Sequence, residues 1–242
     1  MVNDYRRRMT AHAAETTRPT ALITGASRGL GAAIARELAP AHRLLLGART
    51  AEALSGITAE LPGNTPWPVD LTDYEAVAGA CAPIDRLDVL VHNAGVADLG
   101  TIAESSVQQW RNTLEANLIA VSELTRLLLP ALRAARGHVV LINSGAGLRA
   151  NPGWGVYAAS KFALRAFGDA LRLEEPELRV TSIHPGRIDT DMQRAIVADE
   201  GRDYRPEEFL TAATVARAVR TTIETPRDAH PTEIVLRPIA RT

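Results

Sequence analysis

The sequence predicts an α/β protein, a doubly wound parallel sheet of about seven strands with helices on both faces. Two observations carry that prediction. Short apolar runs alternate with longer segments whose apolar residues recur at helical spacing, over about 220 residues from Pro19 onward. The runs themselves, such as "HVVLINS", are continuously β-branched and apolar, as in strands buried on both faces. No internal linker, repeat or low-complexity tract interrupts the pattern, so residues 19–242 read as one domain behind an N-terminal tail over 1–18.

In order, "TALIT" is the first strand, followed by the glycine turn "GASRGLG" and a helix through "AAIARELA". "RLLLG" is the second strand and "AEALSGITAEL" its helix; "PWPVD" closes the third strand and leads to the helical "DYEAVAGACA". "LDVLVHNAG" is a strand running into a turn. A long helical stretch then covers roughly Ser106 to Ala135, interrupted or ended near Pro130 because proline lacks the amide donor. "HVVLINS" is the next strand, and "GVYAASKFALRAFGDALRLEE" is helical with Pro176 just beyond its end. "RVTSIHPG" is a strand ending in a turn, "TAATVARAVRTTIE" a helix, and "TEIVLRP" the last strand.

Composition excludes several classes. The 242 residues are 46% hydrophobic with a formal net charge of −1, and the charges mix in sign, which argues against nucleic acid or an anionic membrane as partner. Cys81 is the one cysteine, so no intramolecular disulfide forms and a reducing compartment fits. Cysteine and histidine show no metal-ligand spacing. The start "MVNDYRRRMTAHAAETTRPT" is basic but lacks the apolar core of a secretory signal, and nothing approaches the roughly 18 apolar residues of a membrane span. The expected setting is soluble and cytoplasmic. Of the 27 basic residues, Lys161 is the only lysine.

In a doubly wound sheet, ligands bind beyond the carboxyl ends of the strands. There the loop "TGASRGLG" places Gly25, Gly29 and Gly31 between the first strand and first helix, where glycine lets the backbone approach a pyrophosphate at a helix N-terminus. A tight turn that merely tolerates glycine is the alternative. The spacing Gly25-x3-Gly29-x-Gly31 is not GxGxxG; it resembles the TGxxxGxG of the short-chain dehydrogenase/reductase family. The resemblance extends from about Thr20 to Pro238. "HNAG", with Asn93, Ala94 and Gly95, looks like the family's NNAG with His92 in place of its first asparagine. "EANLIA" supplies Asn117, "INSGAG" supplies Ser144 thirteen residues before Tyr157, "YAASK" is the YxxxK motif, and "HPGRIDT" resembles PGxVxT with Ile188. The resemblance implies a Rossmann fold and a nicotinamide-dependent oxidoreductase.

Tyr157 and Lys161 lie four apart on a helix and so share a face. A phenol ionises near pH 10, and a neighbouring ammonium, with oxidised nicotinamide, is expected to lower that value until the tyrosine serves as general acid or base. Ser144 at a strand end can steady the charge on a substrate oxygen. In the family the lysine also bonds the nicotinamide ribose, and a helical asparagine holds a water, jobs that fall by resemblance to Lys161 and Asn117. Taken singly, Tyr157 with Lys161 is a surface pair, Asn117 a helix kink or an interhelical hydrogen bond, and Ser144 a strand end; together the spacing favours catalysis. His184 is read as filling a strand position.

The second strand ends at Gly47 and Ala48 without the carboxylate that binds a ribose 2′-hydroxyl. Arg28 and Arg49 sit where a 2′-phosphate would, so NADP(H) is favoured over NAD(H). By resemblance Ser27, Leu30, Asp70, Leu71, Pro185, Gly186, Ile188 and Thr190 complete the cofactor site, Asp70 and Leu71 at the adenine and Ile188 and Thr190 at the carboxamide. The pocket is expected to be closed by Asp189 to Phe209 and lined by Val96, Ala146, Leu148, Trp154, Met192 and Ile196. These apolar residues suggest a small or medium apolar ketone, aldehyde or secondary alcohol as substrate, with no cation placed for a carboxylate. A 3-oxoacyl-thioester reductase and a non-catalytic NADP-sensing regulator are the alternatives. The resemblance also implies a homodimer or homotetramer, packed through the helices near 106–135 and 153–174.

Overall fold

The computed structural model describes residues 18–239. The expected N-terminal tail lies outside these residues except for Arg18, whose guanidinium donates to the carbonyls of Ala39 and Pro40. Seven parallel strands form one sheet: β1 (Thr20–Ile23), β2 (Arg43–Ala48), β3 (Thr65–Pro68), β4 (Val89–His92), β5 (His138–Ile142), β6 (Arg179–Pro185) and β7 (Glu233–Leu236). Their order is β3-β2-β1-β4-β5-β6-β7, so the chain reverses direction across the sheet between β1 and β4. That is the switch point at which such sheets bind ligands.

Strand side chains divide between two cores. Ala21, Ile23, Leu44, Leu46, Val140 and Ile142 face α1 (Gly29–Leu38), α2 (Ala51–Glu60) and α8 (Ala212–Glu224). Leu22, Leu90, Val139 and Leu141 face α3 (Tyr74–Cys81), α5 (Ala120–Ala135) and α6 (Gly155–Glu174). Alternate residues of one strand thus bury on opposite faces, which is why the strand runs are apolar throughout. Pro66 and Pro68 are tolerated because β3 is an edge strand.

Two elements depart from expectation. The long helix is interrupted not at Pro130 but at a π-helical turn, Glu115–Ile119, between α4 (Val107–Leu114) and α5. Pro130 lies within α5 on its exposed side, while Leu128, Ala131, Leu132 and Ala135 remain buried and carry the helix past the missing donor. The segment over 189–209 contains a helix, α7 (Asp191–Asp199), capped by Thr190, whose hydroxyl accepts from the Gln193 amide at 3.3 Å.

Candidate active site

A cleft of about 1220 Å³ opens at the carboxyl ends of the strands, from the glycine loop to the start of α6. On one side Gly25 and Gly29 take φ of +65° and +54°, a region that favours glycine. A Cβ on Gly31 would stand 2.0 Å from the Gly25 carbonyl oxygen. Glycine therefore lets α1 begin directly under the loop. No side chain caps α1, whose N-cap is Arg28, whereas Thr50, Asp73 and Ser106 cap α2, α3 and α4. The first amides of α1 thus face the cleft as donors, which suits the pyrophosphate of a dinucleotide.

Asn93 fastens this loop, its Nδ2 donating to the carbonyls of Thr24 (2.9 Å) and Gly25 (3.1 Å). The Thr24 hydroxyl accepts from the amides of Asn93 and Ala94, both at 3.0 Å. Thr24, the first residue of the TGxxxGxG motif, is a positioning residue whose bonds to the Asn93 and Ala94 amides the motif spacing does not show. Asp70 accepts from the Thr72 amide and hydroxyl, which hold its carboxyl below the usual range. Arg28 and Arg49 line this end of the cleft with no carboxylate partner among the described residues.

The other side is built by β5 and α6. Ser144 follows β5, its Oγ accepting from the Ala146 amide at 3.1 Å. Tyr157 and Lys161 lie on the inward face of α6, the lysine only 6% exposed, with Nζ donating to the Ile142 carbonyl at 3.0 Å. Burial lowers the Lys161 ammonium to about 8. Burial raises the Tyr157 phenol, against a smaller lowering by a hydrogen bond with Ser144. The expected lowering of the phenol by the ammonium is not met in the chain alone, where the one opposing influence is Ser144. Lys161 Nζ stands 5.8 Å from the ring centre, and desolvation of the phenolate dominates at that separation.

Asn117 sits within the π turn, 1% exposed and behind the cleft wall. Its Nδ2 donates to the Val96 carbonyl (2.9 Å) and Ser160 Oγ (3.0 Å), and its Oδ1 accepts from the Val96 amide (2.9 Å). A Cβ on Gly95 would come within 2.9 Å of Asn117 Oδ1 and 3.9 Å of Lys161 Nζ, so the NAG turn, the π turn and the lysine converge. A π turn at such a place is characteristic of functional sites. His184 fills a position of β6, as expected, and its Nδ1–H donates to the Ser144 carbonyl at 3.1 Å.

Apart from Asn117, every residue expected to bind cofactor or substrate oxygen borders this one cleft, Ser144 and the eighteen cofactor positions alike. Val96, Ala146, Trp154, Met192 and Ile196 border it too, but Leu148 does not. Sequence reading missed three further arginines that border the cleft, Arg149, Arg187 and Arg237. In a chain whose basic residues are nearly all arginine, no local signal distinguishes them.

Comparison with known proteins agrees with this arrangement. The sequence profile of short chain dehydrogenases matches residues 19–201. The chain is 39% identical over 209 residues to dehydrogenase/reductase SDR family member 7B of Bos taurus, covering 79% of this chain and 64% of that protein's length. It is 35% identical over 229 residues, 90% of each chain, to the short-chain type dehydrogenase/reductase y4eK of Sinorhizobium fredii. An alcohol dehydrogenase of the archaeon Thermococcus sibiricus, solved with 5-hydroxy-NADP, superposes with a TM-score of 0.84 at 30% identity, covering 93% of this chain and 98% of that one. The chain belongs to the short-chain dehydrogenase/reductase family and is an oxidoreductase acting on CH–OH and C=O groups.

Proposed function

We propose that the protein transfers a hydride between a nicotinamide dinucleotide, NADP(H) in preference to NAD(H), and a carbonyl or secondary alcohol, with Tyr157 as general acid and base. The observation that carries this reading is one cleft holding an uncapped glycine-loop helix start at one end and Ser144, Tyr157 and Lys161 at the other. When bound, the nicotinamide supplies or accepts the hydride at the substrate carbon. In reduction the Tyr157 hydroxyl gives its proton to the carbonyl oxygen; in oxidation the phenolate takes the alcohol proton. The Ser144 hydroxyl hydrogen-bonds the same oxygen as charge develops on it. Burial keeps the free phenol protonated, ready for reduction, and Lys161 with an ammonium near 8 can return a proton at neutral pH. Asn117 holds the π turn against Val96 and Ser160, fixing the wall beside the lysine.

The absence of a carboxylate at the end of β2, with Arg28 and Arg49 beside it making no salt bridge among the described residues, supports the NADP preference. The 5-hydroxy-NADP bound by the archaeal relative supports a dinucleotide in this cleft. Fluorescence titration with NADPH and NADH tests the preference. NADPH is expected to bind tighter, by about tenfold or more, and Arg28→Ala/Arg49→Ala to remove that advantage. Equal affinity in the wild type would refute it. Tyr157→Phe is expected to lower turnover by at least about a hundredfold while NADPH binding persists; unchanged turnover would remove the tyrosine from the mechanism.

A further inference from the structure

We propose that the substrate side of the cleft holds an oxyanion subsite built from Arg237 and Arg149, so that the substrate bears a carboxylate or phosphate besides its reacting carbonyl or alcohol. The proposal rests on the hydride-transfer reading above and refines its substrate class. Five arginines line the cleft, and Arg187 is the one with a carboxylate partner among the described residues. Glu200, just past the end of α7, pairs with Arg187, whose guanidinium lies 5.4 Å from the Trp154 ring centre, so its charge is already met. Arg28 and Arg49 stand at the glycine-loop end, where the cofactor phosphates belong. Arg149 and Arg237 are exposed, border the cleft and have no carboxylate partner among the described residues; Arg237 lies against Gly145 and Arg149 follows in the same loop after β5.

Arg237 is held in place rather than left to wander. Its Nη1 donates to the carbonyls of His184 and Leu236, both at 3.2 Å, while Nε and Nη2 have no partner among the described residues. A Cβ on Gly145 would approach Nη1 to 3.0 Å and Nη2 to 3.3 Å. Glycine at 145 therefore lets a guanidinium lie against the backbone one residue beyond Ser144. Gly145 follows Ser144 directly, so an anion held there lies at the Ser144 end of the cleft. A pinned guanidinium with a free edge is suited to bidentate recognition of a planar carboxylate or a phosphate. The acids that line the cleft do not neutralise it. Asp70 is bonded to Thr72, Asp191 lies in the first turn of α7, and neither pairs with Arg149 or Arg237.

The test compares charged substrates with neutral counterparts: 3-oxobutanoate against its methyl ester, and hydroxyacetone phosphate against hydroxyacetone, each with NADPH. In parallel, calorimetry measures binding of the same compounds to the protein saturated with NADP⁺. The expected result is a kcat/KM at least about tenfold higher for one charged member over its neutral counterpart, carried by KM. That ratio falls toward one in Arg237→Gln or Arg149→Gln. Which pair responds separates carboxylate from phosphate. Parity between charged and neutral members in the wild type, or a ratio unmoved in both variants, overturns the proposal. If no carbonyl is turned over, the calorimetry decides. Anion binding lost in the variants sustains the subsite while the reductase reading fails, and absence of anion binding refutes the subsite.

Discussion

At the scale of the residue, the site depends on side chains that nothing similar can replace. Lys161 is the one lysine in the chain, and its neighbours explain why. Its ammonium is buried and donates to the Ile142 carbonyl, a place too narrow for a broad guanidinium that never gives up its proton. Gly31 is equally constrained, because any Cβ would strike the Gly25 carbonyl oxygen. Gly31→Ala is expected to push the loop from α1, cost about 1–3 kcal/mol of stability, and weaken NADPH binding; titration and urea unfolding measure both. Retained affinity would show that the loop tolerates displacement. Both residues are legible in the sequence because family spacing marks them. Ser160, which accepts from Asn117 at 3.0 Å, is not marked, since its partner lies on a helix far away in the sequence.

At the scale of the element, the π turn and α7 matter most. The sequence places a break in the long helix at proline; the structure places it at Asn117, where two hydrogen bonds with Val96 and one to Ser160 reward the wider turn. One extra residue rotates the downstream apolar stripe by about 100°, but periodicity alone does not distinguish such a shift from a proline interruption. The 189–209 segment is fastened at its base. Asp189 accepts from Tyr204 at 2.5 Å and from Arg194 at 3.1 Å, and Arg194 stacks 4.3 Å above the Tyr204 ring. Burial, with Asp189 beside it, pushes the Tyr204 phenol up to about 12. Exposed pairs of this kind contribute little to global stability, about 0–1 kcal/mol. Asp189→Ala is therefore expected to raise protease cleavage within 189–209 while leaving the unfolding midpoint nearly unchanged; an equal loss of both would make the segment part of the global fold.

At the scale of the whole molecule, buried histidines set the response to acid. The Thr125 hydroxyl donates to Val121, so it accepts from His92 Nε2–H at 2.9 Å and leaves His92 Nδ1 unprotonated and unpartnered. His138 is arranged likewise, with Thr181 donating to Pro231 and His138 Nδ1 unpartnered. Burial drives both imidazoles down to about 3. The unfolded chain, with histidines near 6.5, binds protons there first, so stability falls as pH drops from about 6.5 toward 3. Two pH units below 6.5 the loss is at most about 2–3 kcal/mol per histidine. His92→Asn is expected to make the decline in urea midpoint between pH 7 and 4.5 shallower, and an unchanged slope would remove His92 from the effect. Among the described residues no helix is long and apolar enough to cross a membrane. The sequence alone determined the alternation of strands and helices, the glycine loop and the Ser144, Tyr157 and Lys161 set, because these rest on local periodicity and fixed spacing. Only the tertiary structure decided the π turn, the raised Tyr157 phenol, the hub at Thr24 and the further arginines that border the cleft. Each arises from groups far apart in sequence that meet at the carboxyl edge of the sheet, where burial and pairing, rather than residue type, fix what a side chain does.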